Sequence, residues 1–212
     1  MENLLLDPVE TRVLGVLLEK EKSTPEYYPM SLQGIQTACN QKSSRNPVVQ
    51  YDETTVQIGI DGLKRRGLVL TVSGGGSRVI KFKHNAGIVL DMETAEEAVL
   101  CLLLLRGPLT PGEIKSNSGR LFEFDSLEHV QQTLEAMTTR EDPLLMQLPR
   151  KAGQKEARYM HLLNGEPDLS AWEEEQEPLR VQSSGLEERV RTLEAEVAEL
   201  KEKLEDLLKQ LE

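Results

Sequence analysis

The run from Val99 to Gly107 reads VLCLLLLRG, which is very apolar for a chain of 212 residues with a net charge of -11. A similar run, VLGVLLEKE, begins at Val13, 86 positions earlier. The later run holds seven consecutive apolar residues, far short of the ~20 that a membrane-spanning helix needs. It therefore predicts a central helix of a folded core and no membrane association, and its earlier counterpart predicts an internal repeat.

Each copy of the repeat begins with a helix-start signal. Asp7, Pro8 and Glu10 are the residue types favoured at the N-cap, first and third positions of a helix. In the second copy, Thr94 and Glu97 predict a capping box ahead of the apolar run. Each copy is therefore expected to open with a helix that buries a wide apolar face.

Two further helices are predicted in each copy. Ser31 and Thr110 are N-cap candidates for the second helices, and Gly67 is a candidate C-cap for the third helix of the first copy. The third helices share apolar residues spaced four and then three apart, as one helical face requires, at a constant offset of 74 positions. The matched pairs are Val56 with Val130, Ile60 with Leu134, and Leu63 with Met137.

Each copy ends in two apolar-alternating runs around a turn, LVLTV-SGGGS-RVIKF and LLMQL-PRKAGQKE-ARYMHLL, which predict β-hairpins. Three helices followed by a hairpin are typical of the winged-helix variant of helix-turn-helix. The sequence thus predicts an α+β, mainly helical fold with winged-helix domains at residues 1–85 and 86–164, each around its own apolar centre. The alternative is one continuous helical domain with two incidental hairpins, which the constant offsets disfavour.

The tail has a different pattern. Residues 165–185 are rich in Glu, Pro and Ser and predict a flexible acidic linker. Residues 186–212 carry heptads with Val or Leu at a and Leu at d, which favour a parallel two-stranded coiled coil and hence a homodimer. The alternative is a helix that folds back on its own domains. The predicted dimerisation residues are Leu186, Val190, Leu193, Val197, Leu200, Leu204, Leu207 and Leu211.

The net charge is distributed unevenly along the chain. Residues 1–84 carry 11 Lys and Arg against 9 Asp and Glu, residues 85–165 carry 8 against 12, and residues 166–212 carry 6 against 15. The acidity belongs mainly to the tail, so the overall charge does not exclude nucleic-acid binding by the slightly basic first third.

The cations of the first copy are candidate contacts for nucleic acid or for a partner. A winged helix that binds duplex DNA places its third helix in the major groove, and cations around that helix contact phosphates. Against this, Asp52 and Glu53 would repel phosphates, and a loop held by its own Asn and Ser side chains is an equal alternative for residues 40–48. For Lys64 and Arg65 the favoured alternative is a solvated helix end, where cations suit the helix dipole. For Lys81 and Lys83 the alternative is the solvent face of the hairpin. The candidates are Lys42, Ser43, Ser44 and Arg45 in the loop, Thr55, Lys64 and Arg65 on the third helix, and Arg78, Lys81 and Lys83 in the wing.

Three long blocks, LEKEKSTPEYYPMSLQGIQTACNQKSSRNPV, GPLTPGEIKSNSGRLFEF and LPRKAGQKEARYMHLL, closely resemble the bacterial YceH family. The resemblance covers roughly residues 5–164. It implies tandem winged-helix domains, in agreement with the prediction made from the residues. It implies no activity, substrate or catalytic residue, because the family itself has no characterised function.

The residue patterns do not indicate an enzyme. Neither a Ser/His/Asp or Cys/His grouping in a plausible order nor a nucleotide-binding fingerprint is found. The three histidines lack metal-ligand spacing, so we predict no metal and no cofactor. Cys39 and Cys101 have no CxxC partner, and the chain begins without a secretion signal, which together predict free thiols in the cytoplasm.

Two functions of different classes remain. The first is a non-enzymatic, dimeric regulator whose first copy binds double-stranded DNA. The second is a winged-helix adaptor that binds another protein and no nucleic acid, which the acidic second copy and tail favour. Of the two, the DNA hypothesis is the one that the analogy of fold favours.

Overall fold

The structure is a computed structural model that describes residues 5–73, 79–150, 154 and 156–169. The described residues form a mixture of helices and two small antiparallel sheets. A short 3-10 turn at Pro25–Tyr27 follows the first helix. In chain order the elements are α1 (Pro8–Ser23), β1 (Met30–Ser31), α2 (Leu32–Cys39), α3 (Glu53–Arg65), β2 (Val69–Val72), β3 (Lys81–His84), α4 (Ala86–Val89), α5 (Thr94–Arg106), α6 (Pro111–Ser118), α7 (Leu127–Thr139), β4 (Leu145–Gln147) and β5 (Tyr159–His161).

The helix starts were predicted well, with one exception. Helix α1 begins with the capping box predicted at Asp7, and Ser31 and Thr110 cap α2 and α6. The capping box predicted at Thr94 and Glu97 is wrong. The N-cap of α5 is Glu93, whose backbone N–H donates to the Glu96 carboxylate at 2.9 Å. The 86-residue offset aligns Glu93 with Asp7, so both copies begin with an acidic cap.

Both halves of the chain follow the same topology. In the first half, β1 precedes α2 and pairs with β3, giving an antiparallel sheet of order β1-β3-β2. In the second half, Leu109 precedes α6 and forms an isolated bridge to Tyr159 on β5, which also pairs with β4. Apart from the short helix α4, which lies between them, each half therefore contains a helix, a short edge pairing, two helices and a hairpin. The edge pairings were not predicted, because two residues are too few to show an alternating pattern.

The third helices bury the faces that their spacing predicted. Val56, Ile60 and Leu63 on α3 are fully buried, and so are the three matched residues on α7. Gly67 follows α3 with φ +73°, a left-handed conformation that glycine adopts without strain, and so ends the helix as predicted.

The two halves share one core instead of enclosing separate ones. Helix α5 is buried continuously from Ala98 to Leu105, and α1 from Glu10 to Leu18. These two helices lie against each other, and the buried apolar residues of both halves form one connected cluster. Residues up to Asp168 accordingly form a single compact unit. The predicted boundary at residues 85 and 86 falls between β3 and α4 without dividing this core.

Several predictions concern residues outside the described ranges. The acidic linker beyond residue 169, all of the heptads from 186 to 212, and Arg78 in the first wing belong to this group. Among the described residues, none of the helices is long and apolar enough to cross a membrane.

Candidate nucleic-acid interface

Helix α3 presents an uncovered outer face. Its N-cap is Asp52, whose side chain accepts the Thr55 N–H at 2.7 Å. That hydrogen bond lowers the pKa of Asp52, so its negative charge persists at the start of the helix. Thr55 is half-buried and uses its N–H in this cap, whereas the outer face is exposed at Thr54, Ile58, Lys64 and Arg65.

The first hairpin places two lysines on one exposed surface. Phe82 and His84 of β3 are buried, whereas Lys81 and Lys83, which alternate with them, are exposed. Their cross-strand partners are Val72 and Leu70 on β2, and Ser31 on β1 also pairs with Lys81. The two lysines therefore share one face of the strand. Neither Lys81 nor Lys83 forms an ion pair with another described residue.

A groove of about 530 Å³ lies beside Lys81 and was not anticipated from the sequence. It is bordered by Ser31 and by the exposed side chains of Gln33 and Thr37 on α2, and the 71% exposed ring of Tyr27 stands at its edge. The four-residue spacing of Gln33 and Thr37 was the available signal, since it puts both polar side chains on one helical face.

Arg45 does not belong to this interface. Its side chain is completely buried and forms a bidentate pair with Glu19, at 3.0 Å from Nη1 to Oε1 and 2.6 Å from Nη2 to Oε2. It also donates to the Ala38 carbonyl oxygen. Burial alone would raise the pKa of Glu19, but the hydrogen bonds and charge of Arg45 hold it below its usual value. This guanidinium is therefore committed to α1 and α2 and is not available to a phosphate.

The rest of the loop between α2 and α3 is fastened to both halves of the chain. The Asn40 side-chain amide donates to the Tyr51 carbonyl and accepts from the Tyr51 N–H, both at 2.8 Å. These two hydrogen bonds hold the two ends of the loop together. The Asn46 N–H donates to the Leu105 carbonyl at 2.8 Å, and Arg106 donates to the Ser44 hydroxyl at 2.8 Å. Asn40 thus fits the alternative of a loop held by its own side chains, whereas Ser44 and Asn46 are bound by residues of α5.

The predicted contact residues fall on three separate surfaces. Lys64 and Arg65 lie at the end of α3, and Lys81 and Lys83 lie on the outer face of the first sheet. Lys42, Ser43 and Ser44 instead line a cleft against α5 and the residues after α6. The loop candidates therefore line this cleft, and Lys20 and Gln41 line both the cleft and the groove beside Lys81.

Burial keeps two titratable groups of the core neutral. Cys39 and Cys101 are free, as predicted, and both are buried. Burial raises the pKa of the Cys39 thiol to about 12. Burial also lowers the pKa of His161 to about 4, so this imidazole is neutral at pH 7. Within the described ranges, no three His, Cys, Asp or Glu side chains come together in a group suited to a metal ion.

Comparison with known proteins places the chain in a family. The family model described as "Protein of unknown function, DUF480" matches residues 6–154. The chain belongs to this family. The resemblance to the YceH family is confirmed, because the UPF0502 protein YceH of Escherichia fergusonii is 46% identical over 208 residues, covering 95% of both chains.

Other members of the family are similar over most of the same length. A UPF0502 protein of Shewanella halifaxensis is 45% identical over 211 residues, covering 96% of this chain and 98% of its own. A UPF0502 protein of Opitutus terrae is 49% identical over 175 residues, covering 82% of this chain and 76% of its own. The family thus extends through both halves of the fold.

Proposed function

We propose that this protein is a non-enzymatic, dimeric regulator of the cytoplasm, and that its two halves are winged-helix modules of which the first binds double-stranded DNA. The observation that carries the proposal is the exposed outer face of α3, in a half whose order is a helix, a short edge strand, two helices and a hairpin. A recognition helix must be free to enter the major groove, about 12 Å wide.

The charge of the two modules supports the assignment of DNA to the first. The outer surface of the first sheet carries Lys81 and Lys83 without ion pairs to described residues, and α3 ends in Lys64 and Arg65. Helix α7 of the second module exposes Glu128 and Glu135. Since duplex DNA is a dense array of phosphates, the first module is the better fit.

Charge reversal in the first hairpin tests this function. Lys81→Glu combined with Lys83→Glu is expected to lower duplex affinity and to reduce the salt slope, log K against log [salt], by about 2, because two phosphate contacts are lost. The measurement is fluorescence anisotropy on random duplex DNA from low to physiological salt.

A matched control uses the second module. Lys115→Glu combined with Arg150→Glu changes the charge equally at two exposed cations and should leave duplex affinity nearly unchanged. Absence of wild-type binding even at low salt would rule out the DNA function, as would equal losses in the two double variants.

The dimer rests on the heptads from Leu186 to Leu211, which present matched modules to a two-fold DNA site. A chain ending at residue 185 is expected to have half the mass of the full chain by light scattering. It should also bind a duplex more weakly, since two linked modules bind together. A truncated chain that stays dimeric would contradict the role of the tail.

A protein adaptor is the second candidate function, and one observation favours it. Ile58, at the middle of the outer face of α3, is 62% exposed. An apolar side chain on an open helical face fits a groove on a protein better than it fits phosphates. If the wild-type chain fails to bind a duplex at low salt, Ile58 is the residue around which a protein contact should be sought.

A further inference from the structure

A cleft of about 500 Å³ lies where the two halves meet, and we propose that it binds a small organic anion with a compact apolar body. Four segments line this junction cleft: the end of α1, the loop after α2, the second half of α5 and the residues around the end of α6. The proposal concerns a different surface from the outer face of α3. It therefore stands whether or not the protein binds DNA.

The charges around the junction cleft favour an anion. Its lining includes the cations Lys20, Lys42, Arg106 and Arg120 and a single carboxylate, Glu19. Glu19 is already held by the buried Arg45 at 2.6 Å and by Lys20 at 3.1 Å. The cleft is thus locally positive on a chain whose net charge is -11.

Two of these cations retain unused donors. Lys42 and Arg120 are exposed and form no ion pair among the described residues. Arg106 donates to the Ser44 hydroxyl at 2.8 Å, which fixes its guanidinium at the wall of the cleft. Arginine donors in a fixed fork suit carboxylate or phosphate oxygens, and charge-assisted hydrogen bonds are stronger than neutral ones.

The cleft also offers neutral polar and apolar surface. Gln41, Ser43 and Asn117 line it with neutral polar side chains. Leu102, Leu105 and Leu121 supply an apolar wall. A volume of about 500 Å³ lies in the range of small-molecule sites, which combine apolar walls with a few convergent polar groups. The expected ligand therefore carries one acidic group and a ring or short chain.

Binding here would involve both halves at once. The ligand would contact α1 and the loop from the first half, and α5 and Arg120 from the second. Since only the folded chain presents this cleft, the ligand should raise the melting temperature as its concentration rises above the dissociation constant.

The probes that test the proposal are benzoate and phenyl phosphate, with benzamide as the uncharged analogue of benzoate. In NMR titrations of the full chain, at least one anion is expected to bind with a dissociation constant of about 1 mM or tighter. The amide shifts should centre on residues 41–44 and 120, and benzamide should bind at least about tenfold more weakly. Preference for phenyl phosphate identifies a phosphorylated ligand, and preference for benzoate identifies a carboxylate.

Arg120→Glu is expected to weaken binding of the anion about tenfold or more. Arg120 is exposed, so the variant should keep the wild-type melting temperature without ligand. Lys42→Glu should act in the same direction. The control is Lys83→Glu, which has the same charge change on the outer sheet face and should bind the probes normally.

The proposal is overturned if neither anion binds at about 10 mM, ten times the expected dissociation constant. Equal binding of benzamide or an unchanged affinity in Arg120→Glu overturns it too. The two variants also distinguish the two proposals. Arg120→Glu should weaken anion binding and leave duplex affinity intact, whereas Lys83→Glu should lower duplex affinity and leave anion binding intact.

Discussion

Replacement of Arg45 by methionine is expected to lower the free energy of unfolding by about 3–5 kcal/mol, the usual cost of breaking a buried ion pair on one side. The Arg45 side chain is completely buried, and that of its partner Glu19 is only 17% exposed. The variant leaves a poorly solvated carboxylate and removes the donors to the Ala38 carbonyl. Urea unfolding followed by circular dichroism measures the loss.

The pH dependence of this loss has a definite sign. Burial raises the pKa of Glu19 and Arg45 lowers it below its usual value, so removing Arg45 should leave a raised pKa in the folded variant. A folded-state pKa above the unfolded value contributes stability that disappears as pH rises through it. The deficit of the variant relative to the wild type should therefore be larger at pH 7 than near pH 4.

Two further variants separate the buried pair from a general charge effect. Glu19→Leu combined with Arg45→Met should recover part of the stability, because no unpaired charge remains. Lys64→Met breaks the exposed pair with Asp61 at 3.7 Å and should cost less than about 1 kcal/mol. A loss at Arg45 no larger than that at Lys64 would contradict the structural role assigned to Arg45.

Substitution of Gly15 by valine is expected to cost about 3 kcal/mol or more, at the upper end of overpacking effects. A Cβ at Gly15 would lie 2.9 Å from Leu105 Cγ and 3.1 Å from Leu104 Cβ, both closer than ordinary contact. The Cys101 thiol also donates to the Gly15 carbonyl at 3.5 Å. Helices α1 and α5 can approach this closely only because residue 15 has no side chain.

The loss of stability in Gly15→Val should affect both halves, which should unfold in one transition, because α1 and α5 belong to the same core. Hydrogen exchange of amides in α3 and α7 measures this directly. Gly119→Val is the control, since a Cβ there meets nothing within 4 Å. Increased exchange confined to one half would contradict the shared core, and equal costs at the two glycines would contradict the close approach.

The repeat could be predicted from the sequence because helix caps and periodic apolar residues are local features. Asp7, Ser31 and Thr110 cap helices by bonding to backbone groups three or fewer residues away. Val56, Ile60 and Leu63 recur at the helical period, and the hairpin runs alternate at the period of a strand. Such patterns fix the three longer helices and the hairpin of each copy from their own residues, and the constant offsets then identify the second copy.

The residues of the candidate site were harder to predict from the sequence, because a charged residue type does not show where its side chain points. Arg45 and Lys42 lie three positions apart in one polar loop, yet the first is buried against Glu19 and the second is exposed. Only the path of the loop across α1 distinguishes them. Arg120 was not singled out, because it and Lys42 line one cleft only through the contact between the two halves.

Local pattern alone was enough to establish the duplicated order of helices and hairpins, since capping and periodic burial act within a few residues of the chain. The common core, the burial of Arg45 and the cleft beside α5 all depended on packing between residues tens of positions apart. Because α5 is apolar on all sides, the sequence required other elements to cover it, but it did not specify which partner helix would pack against it. The close approach of α1 at Gly15 supplied that partner, because a residue without a side chain lets one helix backbone lie against the side chains of the other.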